Sequence, residues 1–406
     1  MLHLFFKGHK SVPLYARGTG PALPKRQLEQ GIIRRQMNFP FTPQPHDWRL
    51  DWDALRDEFQ FVRDMEGCPQ DPVYHAEGDV AIHTRMVCES LIENRRWREL
   101  APAERAIVFA ASLLHDVAKP ATTREENGRV TSRGHSKRGE IMARALLWQM
   151  GAPFQAREQA ANLVRYHQLP FFLIDSHDAR RKLFTASQTA RCDLLALVAE
   201  ADARGRICDD RRRLLDNIAL FAQYSLEQGC PNAPRKFPSD HSRFLYFRKE
   251  DRDPDYLAFD DTICEVIVMS GLPGAGKDHW IAASGPDWPV ISLDELRHEM
   301  KIAPTENQGP VVARARESAR ECLRRKQSFI WNATNISRQL REHCISLCAA
   351  YNARVRIVYV ETGAAALAEQ NRLRDRGVPP EVINRLLARW EPPDLTEAHW
   401  VEVVIR

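Results

Sequence analysis

The run Gly271-Leu272-Pro273-Gly274-Ala275-Gly276-Lys277-Asp278 constrains this chain more than any other feature. It directly follows the apolar stretch Glu265-Val266-Ile267-Val268-Met269 and leads into a helical pattern. It therefore reads as a GxxxxGK phosphate loop between a buried strand and a helix. Its glycines let the backbone wrap phosphate oxygens with N–H groups turned inward, and the helix N-terminus adds a favourable dipole. Lys277 reaches the β- and γ-phosphates, and Gly271, Gly274, Ala275, Gly276 and Asp278 complete the expected nucleotide-binding loop. Further strand-like runs at Pro289-Val290-Ile291, Phe329-Ile330-Trp331, Val355–Val360 and Val401–Ile405 alternate with helical stretches. That alternation predicts an α/β domain with a mostly parallel sheet and helices on both faces.

Upstream the rhythm is different. From about residue 41 to 230, apolar residues recur at three- and four-residue spacing, as in Val80–Leu91, Ala106–Leu114, Ile141–Trp148 and Leu194–Val198. This predicts an all-α domain. Residues 231–262 break the pattern with Pro231, Pro234, Pro238, Pro254 and the charged run Arg248–Asp255, and read as a linker. Residues 1–40 are basic and aperiodic, a poorly ordered arm, and 263–406 form the α/β domain. A chain of 406 residues needs more than one core, since one core rarely grows past roughly 250–300 residues. The formal charge of +4 is too weak to argue for nucleic acid over the whole chain. Nine scattered cysteines without a CxxC fit reduced thiols and a cytoplasmic protein, with Cys344 and Cys348 expected in packing roles. No apolar run has the 18 residues of a membrane helix, and no membrane partner is expected.

Two departures from the usual phosphate-loop chemistry are paired. Asp278 stands where a Ser or Thr commonly ligates Mg²⁺, and Asn332, after the strand Phe329-Ile330-Trp331, stands where an acidic residue is common. The carboxylate is expected to have moved from one position to the other. Asp294 follows the strand Val290-Ile291-Ser292, at the crevice where open sheets bind ligands, and can accept a proton from an attacking hydroxyl. Arg297, one turn later, can hold an acceptor phosphate, although an N-capping Asp with a solvated Arg would have the same spacing. Arg372 and Arg376 share a helix face and can close on ATP phosphates, or form a surface ion-pair helix.

These segments, with Ala333-Thr334-Asn335 and Arg338, together resemble the 5′-hydroxyl polynucleotide kinase family of P-loop phosphotransferases. The resemblance implies that ATP with Mg²⁺ is the donor, that Lys277 binds its phosphates and that Asp294 is the general base. It further implies that Arg297 holds the acceptor's 3′-side phosphate and that Arg372 and Arg376 form the lid.

The helical domain holds His83, His115-Asp116, His135, His167 and Asp202. Imidazoles and carboxylates on facing helices are how bundles build metal sites, and such an N/O set suits Mn, Fe, Ni, Co or Zn better than Ca. The order resembles the HD phosphohydrolase superfamily, with His135 and His167 matching the extra histidines of its two-metal members. That implies ligation by all six residues, with Lys119 on the substrate phosphate; a solvated Lys119 is the alternative. The segment from His75-Ala76-Glu77-Gly78-Asp79-Val80 to His83-Thr84 also resembles the HD region of tRNA-end nucleotidyltransferases, but no Gly-Ser with paired Asp follows the transferase pattern.

The combination resembles the bacterial HD-domain polynucleotide kinases. It implies a bifunctional enzyme that clears 2′-, 3′- or 2′,3′-cyclic phosphate ends and phosphorylates 5′-OH ends of RNA or DNA. No Lys-x-Asp-Gly motif is found, so a separate ligase is the expected partner. The alternatives are an HD nucleotide phosphohydrolase regulated by ATP, and a non-catalytic ATP-gated nucleic-acid sensor.

Overall fold

Six principal helices build the first half: α1 (Val80–Glu93), α2 (Pro102–Leu114), α3 (His135–Gln149), α4 (Phe154–Tyr166), α5 (Cys192–Arg204) and α6 (Arg211–Glu227). The computed structural model describes residues 39–373 and 377–406, so the expected basic arm lies almost wholly outside the described residues, as does Arg376. Asp79 caps α1 by accepting the Ile82 N–H, and the helix buries Val80, Val87, Cys88 and Leu91 on one face. Helix α5 is buried on nearly every side from Leu194 to Ala203, as its continuous apolar run requires, and packs between α1, α2 and α6. The all-α reading has one exception, an antiparallel hairpin of Arg124–Glu126 with Arg129–Thr131. Its turn residues Asn127 and Gly128 both have positive φ (55° and 72°), and Asn-Gly is the preferred pair for such a two-residue turn.

The second half is a five-stranded sheet: β1 (Cys264–Ser270), β2 (Val290–Ser292), β3 (Phe329–Asn332), β4 (Ala353–Glu361) and β5 (Trp400–Ile405). The spatial order is β2-β3-β1-β4-β5, and every pairing is parallel. The intervening helices are α8 (Lys277–Ser284), α9 (Leu293–Glu299), α10 (Gly309–Arg324), α11 (Arg338–Ala349), α12 (Ala364–Arg372) and α13 (Pro380–Leu387). Alternation along β1 decides the layers. Val266 and Val268 pack with Ala315 and Leu323 of α10 and with Cys344 and Cys348 of α11. Ile267 and Met269 face the other way, with Ala275 and Trp280 of the phosphate loop and its helix. Both faces are covered, as a parallel sheet requires.

The proline-rich linker is not irregular throughout. It contains helix α7 (Asp240–Arg248), capped by Ser239, whose side chain accepts the Ser242 N–H at 3.0 Å. Phe244 of that helix packs into the sheet core and Tyr246 into the helical core. Prolines 231, 234 and 238 shape the entry to this helix, and it could form because none of them lies inside it.

The two halves also meet through charged groups. Arg157 of α4, fully buried, donates to both oxygens of Glu361 at the end of β4, at 2.7 and 2.8 Å. Tyr359 Oη donates to the same carboxylate at 2.6 Å and accepts from Trp390 Nε1 at 2.9 Å. Trp148 Nε1 of α3 donates to the Thr362 carbonyl at 3.1 Å, and Arg144 donates to the Trp390 carbonyl at 2.9 Å. Removing one member of a buried ion pair strands the other. Arg157→Ala should therefore destabilise the protein by about 3–5 kcal/mol in urea unfolding, and adding Glu361→Gln should recover part of that loss.

Candidate functional site

The helical half brings its predicted residues to one place. His83 lies in the first turn of α1, His115 caps the C-terminus of α2 with Asp116 in the turn that follows, and His135 opens α3. His167 caps the C-terminus of α4, and Asp202 lies on α5. All six are buried. His115, His135 and His167 turn Nδ1 towards the carbonyls of Ser112, Ser132 and Val164, at 2.7, 2.8 and 2.8 Å. A carbonyl only accepts, so in these rings Nδ1 carries the proton and Nε2 of the neutral ring is a bare lone pair. The Nε2 atoms of His83 and His115 are 3.3 Å apart, and those of His135 and His167 are 3.4 Å apart. Lone pairs at that distance repel unless a proton or a cation lies between them.

Asp116 sits between the two histidine pairs. Its Oδ2 is 3.1 Å from His115 Nε2, and its Oδ1 is 3.4 Å from His135 Nε2. Oδ1 is buried with no hydrogen-bond partner among the described residues. Burial opposes its charge, but the Lys119 ammonium and the His115 ring hold the Asp116 carboxyl well below the usual carboxylate range. Burial likewise opposes a charge on His115, yet Asp116 beside it outweighs that and raises its pKa. His167, shielded from water and facing the His115 and His135 rings, is pushed down to about 3. The cluster thus sets an electron-rich carboxylate beside His135 and His167, which burial shifts towards the neutral form, and beside His115, whose second proton a divalent cation would have to displace. The residues fit one ion on His83, His115 and Asp116, and a second on Asp116, His135 and His167. Asp202 Oδ1 lies 3.2 Å from His83 Nε2, on the first of these sets, and both Asp202 oxygens accept from Arg206 at 2.8 Å.

Lys119 is not a solvated helix-end lysine. It is buried, with Nζ 2.7 Å from Asp116 Oδ2 and donating to Gln70 Oε1 at 2.6 Å. Sequence reasoning passed over Arg206, Gln70 and Glu77 as participants. Gln70 and Arg206 belong to no spaced motif, Glu77 lies in the His75–Thr84 segment without a role assigned to it, and the packing of the loops around 70–77 and 205–207 brings all three in.

In the sheet half, the phosphate loop leaves the C-terminal end of β1. Gly271 has φ +146°, and a Cβ there would stand 2.3 Å from the Val360 carbonyl oxygen, so only glycine fits against β4. The Ala333-Thr334-Asn335 segment braces this corner: the Thr334 carbonyl accepts the Gly271 N–H at 2.9 Å, and Asn335 Nδ2 donates to the Met269 carbonyl at 2.9 Å. Lys277 Nζ donates to the Gly271 and Leu272 carbonyls, each at 3.0 Å. A cavity of about 380 Å³ opens beside the loop, lined by Gly274, Gly276, Lys277, Asp278, Gln370 and Leu373 among others. Asp278 and Asn332, far apart in sequence, are neighbours here: Asn332 Nδ2 donates to Asp278 Oδ1 at 2.7 Å.

Asp294 stands just past β2, with Asn332 on β3 between its strand and β1. The helix cap is Ser292, whose hydroxyl accepts the Glu295 N–H at 3.3 Å, which leaves the Asp294 carboxylate exposed and free of a capping role. It pairs with Arg297, which is half-buried and also reaches Gln308 at 3.4 Å. Arg372 is exposed and pairs with Glu369 at 2.7 Å, so Gln370 and Leu373, not Arg372, face the phosphate loop from α12. Arg338 pairs with Asp394 at the surface behind the loop corner.

Comparison with known proteins agrees with this division. Residues 79–205 match the HD domain family, and residues 266–393 match an AAA domain family. The chain therefore carries a helical HD domain followed by an α/β P-loop domain. It is 31% identical over 164 residues to a multifunctional CCA protein of Hahella chejuensis, covering 38% of this chain and 35% of that protein. It is 34% identical over 166 residues to that of Xanthomonas euvesicatoria, covering 39% and 37%. The chain thus spans little more than a third of the length of these relatives. A sugar kinase from Janibacter matches at TM-score 0.28 and 17% identity, over 35% of this chain and 85% of that one, too loosely to bear on function. Among the described residues, no helix is long and apolar enough to cross a membrane.

A ligand that binds only the folded chain raises its stability, by about 2.7 kcal/mol at a hundred times its dissociation constant. Mn²⁺ should accordingly raise the melting temperature and a chelator should reverse this. Asp116→Ala, which removes the carboxylate common to both ligand sets, should abolish the shift in a thermal denaturation series.

Proposed function

We propose that this chain heals broken nucleic-acid ends. The HD domain removes 2′-, 3′- or 2′,3′-cyclic phosphates, and the P-loop domain transfers the γ-phosphate of ATP to a 5′-OH. One observation carries the reading: a single chain holds both a His/Asp cluster with two sets of converging side chains and a phosphate loop in a sheet that carries the Asp294–Arg297 pair just past β2, two strands from the loop. The two products are chemically complementary. Many ribonucleases leave a 2′,3′-cyclic phosphate and a 5′-OH, and neither end can be joined until both are processed. Similarity to multifunctional CCA proteins supports an RNA substrate.

In the HD domain, His83, His115, Asp116 and Asp202 would hold one ion, and Asp116, His135 and His167 would hold the other. Mn, Ni, Co or Fe suits this set. When bound, such ions supply an activated water and stabilise the departing oxygen of a phosphoester. Lys119 Nζ, fixed between Asp116 and Gln70, directs the substrate phosphate over the cluster. In the P-loop domain, the loop N–H groups and Lys277 hold the donor phosphates, and Asp278 with Asn332 forms the Mg²⁺ side of the site. Asp294 takes the proton of the attacking 5′-OH, and Arg297 holds the neighbouring phosphate of the acceptor. Arg372 and Arg376 close over the donor when it binds, which requires Arg372 to leave Glu369. A separate ligase joins the healed ends.

The test is a short RNA with a 5′-OH and a 2′,3′-cyclic phosphate, incubated with γ-labelled ATP, Mg²⁺ and Mn²⁺. Label gained at the 5′ end and phosphate lost at the 3′ end are expected. Hydrolysis of free nucleotides with neither end changed would replace this reading with a nucleotide phosphohydrolase. Asp294→Ala should lower 5′ labelling at least 100-fold and spare the phosphatase, and Asp116→Ala should do the reverse. Loss of both activities in either well-folded variant contradicts two separate sites. Asp278→Ser and Asn332→Asp should each impair the kinase, and the double change should exceed both singles, because it returns one carboxylate to the same contact.

A further inference from the structure

Three of the converging histidines sit at a helix C-terminus or just after the loop before a helix, where a main-chain carbonyl still has a lone pair open, and each uses the carbonyl three residues earlier, that of Ser132 also accepting the His135 main-chain N–H. His83 has no such acceptor. It is the fourth residue of α1, and the carbonyl three residues before it, on Val80, belongs to the helical ladder. Its ring is nonetheless fully buried, and a buried N–H needs a partner.

Glu77 occupies that place. Its Oε1 lies 2.8 Å from His83 Nδ1 and 2.8 Å from His75 Nδ1, and its side chain is only 1% exposed. The approach to the His75 N–H is well aligned, and that to His83 is oblique. Even so, no other polar atom among the described residues pairs with His83 Nδ1. The backbone of one residue holds Glu77 and its neighbour: Glu77 Oε2 accepts the Ile207 N–H at 2.8 Å, and the Ala76 N–H donates to the Ile207 carbonyl at 3.0 Å. Ile207 follows Arg206, the residue that grips Asp202. The carboxylate is therefore fixed by backbone and does not depend on a flexible side-chain partner.

We infer that Glu77 is a positioning residue for one of the two metal ions, holding His83 in the tautomer that turns Nε2 towards Asp116. The inference rests on the metal-site reading above and deepens it. A carboxylate acceptor makes the imidazole a stronger donor than a carbonyl does, so the two ion positions are built unequally. The His83, His115 and Asp116 position has a charged outer support. Behind the histidines of the Asp116, His135 and His167 position, the Nδ1 partners among the described residues are carbonyls. Loss of Glu77 should weaken the first and leave the second.

Mn²⁺ binding to the full chain, measured by titration calorimetry after exhaustive chelation, separates these cases. In a His135→Ala background, which leaves the His83 position, Glu77→Ala should weaken binding 10–100-fold. In a His83→Ala background it should change nothing. Glu77→Gln, which keeps one acceptor oxygen but loses the charge and the second acceptor that the Ile207 N–H uses, should restore only part of the loss. Glu77→Asp, one methylene too short to reach, should not, and it serves where the alanine variant fails to fold by circular dichroism. Equal weakening in both backgrounds makes Glu77 a scaffold residue and overturns the inference, as does unchanged affinity in the His135→Ala background. A wild-type chain that binds no Mn²⁺ overturns the metal-site reading itself and is distinguishable from either.

Discussion

A carboxylate taken out of water must be matched by positive charge or become neutral, and Asp116 imposes that condition on the centre of the helical domain. Its neighbours are arranged to meet it. Lys119 is drawn into the interior to pair with it, and His115 and His135 turn Nε2 towards it. Beyond them a second layer of acceptors, three carbonyls and Glu77, takes the Nδ1 protons. The helices themselves are placed by this demand as much as by their apolar faces. His115, His135 and His167 reach the centre because α2, α3 and α4 each begin or end there.

The same helices join the two chemistries. α3 starts at His135 and carries Arg144 and Trp148 to the sheet domain, and α4 ends at His167 and carries Arg157 to Glu361. Glu361 closes β4, whose Val360 carbonyl lies against Gly271 at the start of the phosphate loop. The elements that present the candidate metal ligands at one end thus support the strand beside the phosphate loop at the other. The helix Asp240–Arg248 adds a second seam, with one aromatic in each core.

Much of the fold could be read in advance because it rests on local periodicity. Each of the five expected strand runs falls on a strand of the sheet, the strands being three to nine residues long, since a short apolar run between helices has few other ways to be buried. The hairpin at 124–131 and the helix inside the linker escaped that reading. The first is short and exposed, and the second has little amphipathic character, being buried by two domains at once. The six histidine and aspartate positions were visible as an ordered set of unusual buried residue types. Their protonation pattern was not, because a carbonyl three residues earlier is open to a ring only where a helix begins or ends, and because Glu77 meets His83 only through the packing of its loop.

By itself, then, the sequence determined the class of each half, the phosphate loop and the inventory of candidate ligands, all of which follow from local pattern and side-chain chemistry. Tertiary structure alone decided which of those groups touch. It placed Asn332 against Asp278, made Ser292 and not Asp294 the cap of α9, buried Lys119, and turned Arg372 towards Glu369 and away from the loop. The reason is physical. Hydrophobic periodicity is written along the chain and acts at short range, whereas the pairing of buried polar groups is settled only when distant segments pack and each must find the partner that water no longer provides.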